Sequence, residues 1–393
     1  MQAKNQSYLR RKNKEDIIKL LREKSRSYSE IARELQLSNT AVSNIADALI
    51  EDGVIVRESD TKGRRGIALK INSGYGYVLA IDVSGRFLNI CAADFDSRIL
   101  LTRSVGEVVK FTRSDLDGVL GVMKEMTEDQ ALAGKKLCGI ILATPGKLSD
   151  TGEYLLNPRF KGFENVSIKK ILGGAFGCEV LVKNDVNLAI EGEKAYGTLK
   201  RARNAIMLHV DVGTGAAFMI DGKIFEGSHG FAGEIGYFNL NMMSVSADNY
   251  DNLSYFNFYD SLSLFSVLSS LQREIYNGEK GYLYNYAVER NIPFSQIPID
   301  AMIAAYRAKD PLTCRFINSE GRVIGNVAHN IAELLDIDTI VLNGAVTELG
   351  EPYLKVVSER LKGRKVHYSG LMEKATLMGA INAGLTAFFH NVV

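Results

Sequence analysis

Several features that mark secreted, membrane-bound or uniformly charged proteins are missing from this sequence of 393 residues. Its four cysteines lie far apart and form no C-x-x-C pair, which argues against a disulfide framework and a cysteine-rich zinc site. No run of about 18 apolar residues could cross a membrane, and the N-terminus lacks the apolar core of a signal peptide. These absences predict a cytoplasmic protein with reduced thiols and no membrane partner.

The chain has almost no net charge, but its charges are unevenly distributed. The formal net charge of +1 argues against a wholly basic protein that coats nucleic acid. Residues 1–70 nevertheless contain 15 lysines and arginines against 10 acidic residues, whereas the other 323 residues contain 32 against 36. A basic front end on a mildly acidic body predicts a separate anionic partner for the N-terminus. The length predicts two or three domains.

Three helical patterns fill residues 13–52, and the third is the most clearly delimited. Ser38 is a suitable N-cap residue and Gly53 a suitable C′ residue. The apolar residues between them have the spacing of one helix face; they are Val42, Ile45, Ala46 and Leu49. Two strand-like segments around a basic glycine turn follow, which predicts a wing. The order of these elements predicts a winged helix-turn-helix domain over residues 1–72.

The polar residues of this domain favour contact with duplex DNA. Short donor and acceptor side chains on the exposed face of the third helix suit base edges in a major groove. Basic side chains at the wing and near the N-terminus suit phosphates. The candidates are Asn39, Thr40, Ser43 and Asn44 on the helix, Lys62, Arg64 and Arg65 at the wing, and Arg10, Arg11, Lys12 and Lys14 near the N-terminus. A solvated face, or a winged helix that contacts only proteins, is the alternative.

A repeated pattern indicates that the body is an internal duplication. An apolar strand reaches Asp82 and returns through a second strand, and the same design recurs at Asp211, 129 residues later. This repeat predicts an α/β body of two lobes, each opening with a hairpin that carries an aspartate. Lobes of this kind face each other across a cleft, where ligands commonly bind.

Two carboxylates in the body are candidates for binding a sugar. Asp185 follows a predicted strand and is flanked by amides, so it could accept a hydroxyl proton, although an N-cap role is the commoner one for such an aspartate. Glu234 lies in a glycine-rich loop, residues 227–237, where the backbone can approach a ligand closely. A carboxylate there could accept hydrogen bonds from vicinal hydroxyls.

Together these motifs resemble the ROK family of repressors, open reading frames and sugar kinases. The motifs that carry the resemblance are Gly63-Arg-Arg, Ile81-Asp-Val, Pro145-Gly146, Asn184-Asp-Val-Asn, Asp211-Val-Gly-Thr-Gly and Gly230-Phe-Ala-Gly-Glu-Ile-Gly. The resemblance implies a two-lobed actin-like ATPase (ribonuclease H-like) sugar-kinase fold after the winged domain. We expect the first lobe at 76–190 with the C-terminal helix 374–393, and the second at 191–373. The implied sugar contacts are Asn157, Asn184, Asp185 and Glu234, with Asp185 as the would-be catalytic base.

The nucleotide loops depart from the family pattern. The resemblance assigns phosphate and nucleotide contacts to Asp82, Gly85, Asp211, Gly213, Thr214, Gly215 and Gly344. The first loop reads Asp82-Val-Ser-Gly-Arg where family kinases carry Asp-x-Gly-Gly-Thr, and Ser84 therefore places a Cβ where backbone must approach phosphate. The second hairpin continues with Ala216 and Ala217, and the turn at Asn343 lacks a second glycine. These changes argue against efficient ATP binding.

The family's zinc motif is also missing. The position of its histidine is Tyr237, which additionally removes a usual sugar ligand, and residues 239–260 contain no cysteine. We therefore expect neither a metal nor another cofactor.

Three functions are compatible with these observations. The first is a repressor of carbohydrate genes that binds operator DNA as a homodimer or a dimer of dimers and senses a sugar. The second is an active sugar kinase with an appended DNA-binding domain. The third is a regulator with a vestigial sensor that responds to a protein partner, for which the aromatic-rich loop 250–259 offers a surface.

Overall fold

Three helices and a three-stranded sheet form the N-terminal unit of the computed structural model, which describes residues 2–58, 67–85, 87–107, 111–148, 155–156, 160, 163, 166–238 and 262–388. In chain order the unit consists of α1 (Gln2–Glu23), β1 (Arg26–Ser27), α2 (Tyr28–Leu35), α3 (Asn39–Glu51), β2 (Ile55–Glu58) and β3 (Ala68–Ile71). The strands pair antiparallel in the order β1-β3-β2, with Ile55 opposite Ile71. This arrangement confirms the predicted winged helix-turn-helix.

Local capping fixes the turn between α2 and α3. Gln36 adopts a left-handed conformation that ends α2, and the side chain of Ser38 accepts a hydrogen bond from the Ala41 amide at 3.1 Å. Gly53 follows α3 with a φ of +75°. Both predicted cap residues are therefore confirmed. The predicted apolar stripe, Val42, Ile45, Ala46 and Leu49, is buried as well.

The prediction was wrong about where the first helix begins. We predicted a helix from about residue 13, but α1 starts at Gln2. No proline or glycine interrupts residues 2–12, and Arg11 pairs with Glu15 one turn later at 3.1 Å, so the helix can extend through this polar segment. Arg10, Arg11 and Lys12 are thus exposed on a helix.

Two larger sheets with the same connectivity follow. The strands are β4 (Gly76–Asp82), β5 (Phe87–Asp94), β6 (Ile99–Glu107), β7 (Lys136–Thr144), β8 (Lys147–Leu148), β9 (Leu155–Leu156), β10 (Val180–Asn184), β11 (Ala205–Val210), β12 (Thr214–Ile220), β13 (Lys223–Ile224), β14 (Thr339–Asn343) and β15 (Lys365–Tyr368). The first sheet has the order β10-β7-β4-β5-β6 and the second the order β13-β12-β11-β14-β15. Each begins with an antiparallel hairpin whose first strand also pairs in parallel with a later strand. This shared topology confirms the internal duplication.

Helices cover these sheets, and one of them returns from the C-terminus. They are α4 (Arg113–Thr127), α5 (Ile168–Phe176), α6 (Asp185–Ala195), α7 (Leu264–Tyr276), α8 (Tyr282–Arg290), α9 (Ile299–Arg307), α10 (Pro311–Leu335), α11 (Glu351–Ser358) and α12 (Ala375–Phe388). α12 packs against α6 and against strands β4 and β7, so the end of the chain contacts the first sheet. The exact lobe boundaries remain predictions. Among the described helices, none combines the length and hydropathy that a membrane span needs.

A fully buried carboxylate near the end of α6 holds two loops together. Glu193 accepts hydrogen bonds from the Thr198 amide at 2.6 Å, the Thr198 hydroxyl at 2.7 Å, the Ser369 hydroxyl at 2.6 Å and the Leu371 amide at 2.8 Å. Burial raises the pKa of Glu193, but these four bonds outweigh burial, so its pKa lies below the ordinary value. The ionised side chain therefore stabilises the folded state.

Replacing Glu193 by glutamine is expected to lower the free energy of unfolding by about 2–3 kcal/mol near pH 7, since an amide cannot accept all four bonds. Because the folded pKa is depressed, the stabilisation is present above the unfolded pKa of about 4.3 and is lost as pH falls through the folded pKa. The difference in the free energy of unfolding between wild type and variant should therefore disappear in acid. Urea unfolding between pH 3 and 7 measures it, with the exposed Glu289→Gln as control. A difference in unfolding free energy that stays constant with pH would contradict the role given to the ionised Glu193.

Candidate functional site

The predicted reading face of α3 is accessible. Asn39, Thr40 and Asn44 are exposed, and Ser43 is half-buried with its hydroxyl 3.5 Å from an Asp47 carboxylate oxygen. Short polar side chains on an exposed second helix of a helix-turn-helix suit entry into a major groove. Their contact with DNA remains a prediction.

A further cation beside this face was not predicted. Arg57 of β2 donates to the Asp47 carboxylate at 2.7 Å and to the Tyr28 hydroxyl at 3.3 Å. It therefore connects β2 to α3 and α2 beside the predicted reading face. Its place as the first charged residue after the apolar run Val54-Ile-Val is the sequence signal that could have identified it. The predicted wing contacts Lys62, Arg64 and Arg65 lie outside the described residues.

The first sugar-binding candidates lie where β10 ends and α6 begins. Asn184 caps the helix by accepting the Asn187 amide at 3.0 Å, and its own amide reaches the Gly146 carbonyl at 3.4 Å. Asp185 therefore does not act as the N-cap, which was the alternative role for this residue. Its buried carboxylate instead accepts the Val186 amide at 2.9 Å. Asp185 lies in the first turn, where the helix dipole favours negative charge.

The second candidate, Glu234, lies on a loop that packs on β12. The Ala216 amide donates to the Gly233 carbonyl at 2.8 Å, and Gly233 has a φ of +95°, where a Cβ would lie 1.9 Å from the Ala216 carbonyl oxygen. Only glycine can occupy that position without displacing the loop. Glu234 itself is half-buried.

Strand β12 connects the two candidate segments. Val186, next to Asp185, contacts Gly215, where a Cβ would meet the valine methyl at 3.2 Å, whereas Gly233, next to Glu234, is bonded to the adjacent Ala216. The neighbours of Asp185 and Glu234 therefore contact consecutive positions of one strand, and a ligand site shared by the two carboxylates remains a prediction. Two other predicted features cannot be placed, since Asn157 and the side chain of Tyr237 lie outside the described residues.

The aspartates of the two duplicated hairpins interact electrostatically. Asp82 is buried, and its carboxylate accepts the Ser84 amide at 2.9 Å and also the Ser84 hydroxyl. Burial raises the pKa of Asp82, the bonds from Ser84 oppose this, and both His209 and Asp211 act on it electrostatically. The second loop therefore lies close to the first, as the duplication predicts.

The carboxylate of Asp211 uses backbone donors that line the predicted nucleotide loops. One oxygen accepts the Val212 amide at 2.8 Å, and the other accepts the Ala345 amide at 3.1 Å. Gly344, between the two loops, has a φ of +90°, and a Cβ there would lie 2.6 Å from the Val210 carbonyl oxygen. Loop amides of this kind commonly bind phosphate oxygens. Here an internal carboxylate already occupies two of them.

The other predicted nucleotide residues lie at the turns of the two hairpins. Gly213 accepts the Asp211 amide through its carbonyl at 2.9 Å, and the Thr214 hydroxyl donates to the Leu262 carbonyl at 2.6 Å. Gly85 lies directly after the Ser84 turn, and its neighbour Arg86 is outside the described residues.

Buried His209 and Asn343 add to this centre and were not predicted. Asn343 Nδ2 lies 3.3 Å from His209 Nδ1 at the ends of β14 and β11. His209 precedes Asp211 by two positions, and this strand spacing is the signal that could have indicated a shared face.

All four cysteines are free thiols. Burial raises the pKa of Cys91 to about 12 and that of Cys138 to about 11, which keeps both thiols protonated near neutrality. Among the residues that the structure describes, no group of three His, Cys, Asp or Glu side chains could hold a metal ion. The segment 239–260, where the family's zinc ligands are expected, lies outside those residues.

Two family profiles match the chain. One, described as the ROK family, matches residues 78–381. The other, described as winged helix-turn-helix DNA-binding, matches residues 10–56. The two matches correspond to the body and to the N-terminal unit.

Curated relatives span the same two units. The xylose repressor of Caldicellulosiruptor bescii is 26% identical over 96% of this chain and 96% of its own length. The transcriptional dual regulator NagC of Escherichia coli is 21% identical over 84% of this chain and 79% of its own length.

Solved structures confirm the fold. A ROK family transcriptional regulator described as a homologue of the E. coli MLC protein has a TM-score of 0.77, with 19% identity over 98% of this chain and 97% of its own. A ROK family glucokinase from Streptomyces griseus, in complex with glucose and AMPPNP, has a TM-score of 0.63, with 20% identity over 78% of this chain and 99% of its own. The predicted sugar-kinase-like body after a winged domain is therefore confirmed.

Proposed function

Because the chain belongs to the ROK family and carries an N-terminal winged helix-turn-helix, we propose that it is a transcriptional repressor of carbohydrate genes. Its kinase-derived body senses a sugar or a sugar derivative. The names of its relatives point to xylose and N-acetylglucosamine as the first sugars to examine. A protein with this function acts on cytoplasmic DNA.

The accessible reading face of α3 is the observation that carries the DNA-binding half of the proposal. Asn39, Thr40 and Asn44 can reach base edges, and the exposed cations of α1 can neutralise phosphates. Two such units in a homodimer, or in a dimer of dimers, would read the two halves of a palindrome.

Asp185 and Glu234 carry the sensing half of the proposal. The residue next to each of them contacts the same stretch of β12, and carboxylates are strong acceptors for the vicinal hydroxyls of a sugar. Ligand binding in the cleft would shift the population of domain arrangements and thereby the spacing of two winged helices.

Selection of binding sites from random duplexes tests the DNA-binding half. We expect a palindromic site whose half-sites lie about 10 base pairs, or a multiple of that, apart, bound with steep salt dependence. Sedimentation of the complex measures the number of chains per site. Enrichment of no sequence at all, with only weak binding to every duplex, would reject the proposal.

Catalysis is the second candidate because Asp185 is retained, but the nucleotide loops disfavour it. Asp211 occupies the Val212 and Ala345 amides, and Ser84 stands where family kinases carry a glycine of the first phosphate loop. A base without a phosphate cradle accelerates phosphoryl transfer little, since that reaction relies on positioning and charge stabilisation.

Kinase assays are therefore expected to remain at background. ADP release with ATP and a panel of hexoses, pentoses and amino sugars should be the same for wild type and for Asp185→Asn. ADP release that depends on both a sugar and Asp185 would show that the chain is a kinase, because a positioned base contributes about 10²–10⁴-fold in rate.

A further inference from the structure

A series of side-chain hydrogen bonds joins the winged domain to α6, the helix that begins at Asp185. Arg22 of α1 donates from Nη1 to the Thr386 hydroxyl at 2.9 Å and from Nη2 to Asn382 Oδ1 at 3.1 Å. Asn382 Nδ2 in turn donates to Glu191 Oε1 at 2.9 Å. Glu191 lies six residues after Asp185 on α6, about 9 Å along the helix. Asn382 of α12 therefore links the winged domain to α6.

The two helices of the body that take part in these hydrogen bonds, α6 and α12, pack backbone against backbone. A Cβ on Gly192 of α6 would lie 2.3 Å from the Ala375 carbonyl oxygen, and one on Gly379 of α12 would lie 1.7 Å from the Leu188 carbonyl oxygen. Such close packing leaves no room for the helices to slide independently. A displacement of α6 would therefore move α12, and Asn382 with it.

Arg22 is suited to follow such a displacement. Its planar guanidinium engages Asn382 and Thr386, which lie one helical turn apart, so two bonds fix its direction. Tyr196, the C-cap residue of α6, also interacts with the guanidinium and pairs with Ser97 at 2.7 Å. Both Glu191 and the end of α6 therefore act on the same arginine.

We propose that Arg22 is a positioning residue that couples the sugar site to the orientation of the winged domain through Asn382 and Glu191. The inference rests on the proposed function and specifies its regulation. When ligand at Asp185 displaces α6, the bonds at Asn382 shift α1 relative to the body. Arg22 and Asn382 belong neither to the predicted reading face nor to the predicted sugar ligands, so their replacement leaves those groups in place.

Full-length Asn382→Leu and Arg22→Met test this coupling, with the exposed Arg203→Met as matched control. For each chain, anisotropy gives operator affinity with and without saturating sugar, and calorimetry gives sugar affinity, using xylose and N-acetylglucosamine as probes. Both affinities measured alone should change less than about 3-fold. The sugar-induced change in operator affinity should fall from at least 10-fold to less than 2-fold, and Arg22→Lys should retain an intermediate response. Full coupling in Asn382→Leu would overturn the proposal.

Hydrogen exchange tests the same contact without DNA or sugar, so failure of the proposed function leaves the coupling testable. In Asn382→Leu, amides of α1 around Arg22 should exchange at least 10-fold faster than in wild type, while those of α6 keep their rates. Arg203→Met should leave both regions unchanged. Unaltered exchange of α1 in Asn382→Leu would show that the contact positions nothing and would refute the coupling.

Discussion

Replacing Asp185 by asparagine is expected to weaken binding of the effector sugar by about 100-fold, a loss of about 2.7 kcal/mol. A carboxylate that accepts hydroxyl protons forms charge-assisted bonds worth about 1.5–3 kcal/mol, and an amide of the same shape can accept fewer of them. The helix should persist in the variant because Asn184, not Asp185, caps α6. Calorimetric titration with the sugar measures the effect.

The control for this substitution is Asp117→Asn, which removes an exposed aspartate on α4 far along the chain from the cleft. Its sugar affinity should equal that of wild type. If Asp185→Asn bound sugar as tightly as wild type while its unfolding curve was unchanged, the sugar site would have to lie elsewhere.

Replacing Asn44 by alanine is expected to weaken operator binding by about 100-fold. A side chain that pairs with a base edge contributes about 1–3 kcal/mol of discrimination, and in a dimer the substitution removes that pairing from both half-sites. Affinity for unrelated DNA and the salt dependence should be unchanged, because Asn44 carries no charge. Anisotropy on operator and scrambled duplexes measures both quantities.

Arg10→Ala is the matched comparison, since Arg10 is exposed on α1 and offers only charge. It should weaken binding to operator and to scrambled DNA equally. It should also reduce the salt slope by about 0.9 for each phosphate that the variant no longer neutralises. If Asn44→Ala behaved in the same way, α3 would not be reading bases.

The sequence was most informative where local chemistry determines structure. Ser38 and Gly53 predicted the ends of α3, because a side-chain cap and a left-handed glycine act within a few residues. The duplicated hairpins could also be predicted, since each has an apolar strand that leads to Asp82 or Asp211.

It was least informative where the structure depends on distant partners. The polar N-terminal half of α1 carries no apolar period from which its start could be read, and β1 is a two-residue strand that exists only through its pairing with β3. The contact of Arg22 with Asn382 spans 360 positions along the chain. Neither periodicity nor a motif connects residues so far apart.

The candidate site shows both cases. The order of Asn184 and Asp185 left open which of them caps α6, and only the hydrogen bond from the Asn187 amide assigned the cap to Asn184. The glycine changes in the nucleotide loops indicated a weak phosphate site. They did not reveal that the Asp211 carboxylate binds amides of two loops, because Ala345 lies 134 residues away, at the start of a short 3-10 helix.

Sugar-dependent release from DNA tests the central claim most directly. The selected operator, bound to the full-length chain at physiological salt, is titrated with each sugar that calorimetry shows to bind. We predict that at least one sugar lowers operator affinity by 10-fold or more, and that Asp185→Asn shifts this response to about 100-fold higher sugar concentration. Operator affinity that is the same with and without every bound sugar would contradict the assignment of this chain as a sugar-responsive repressor.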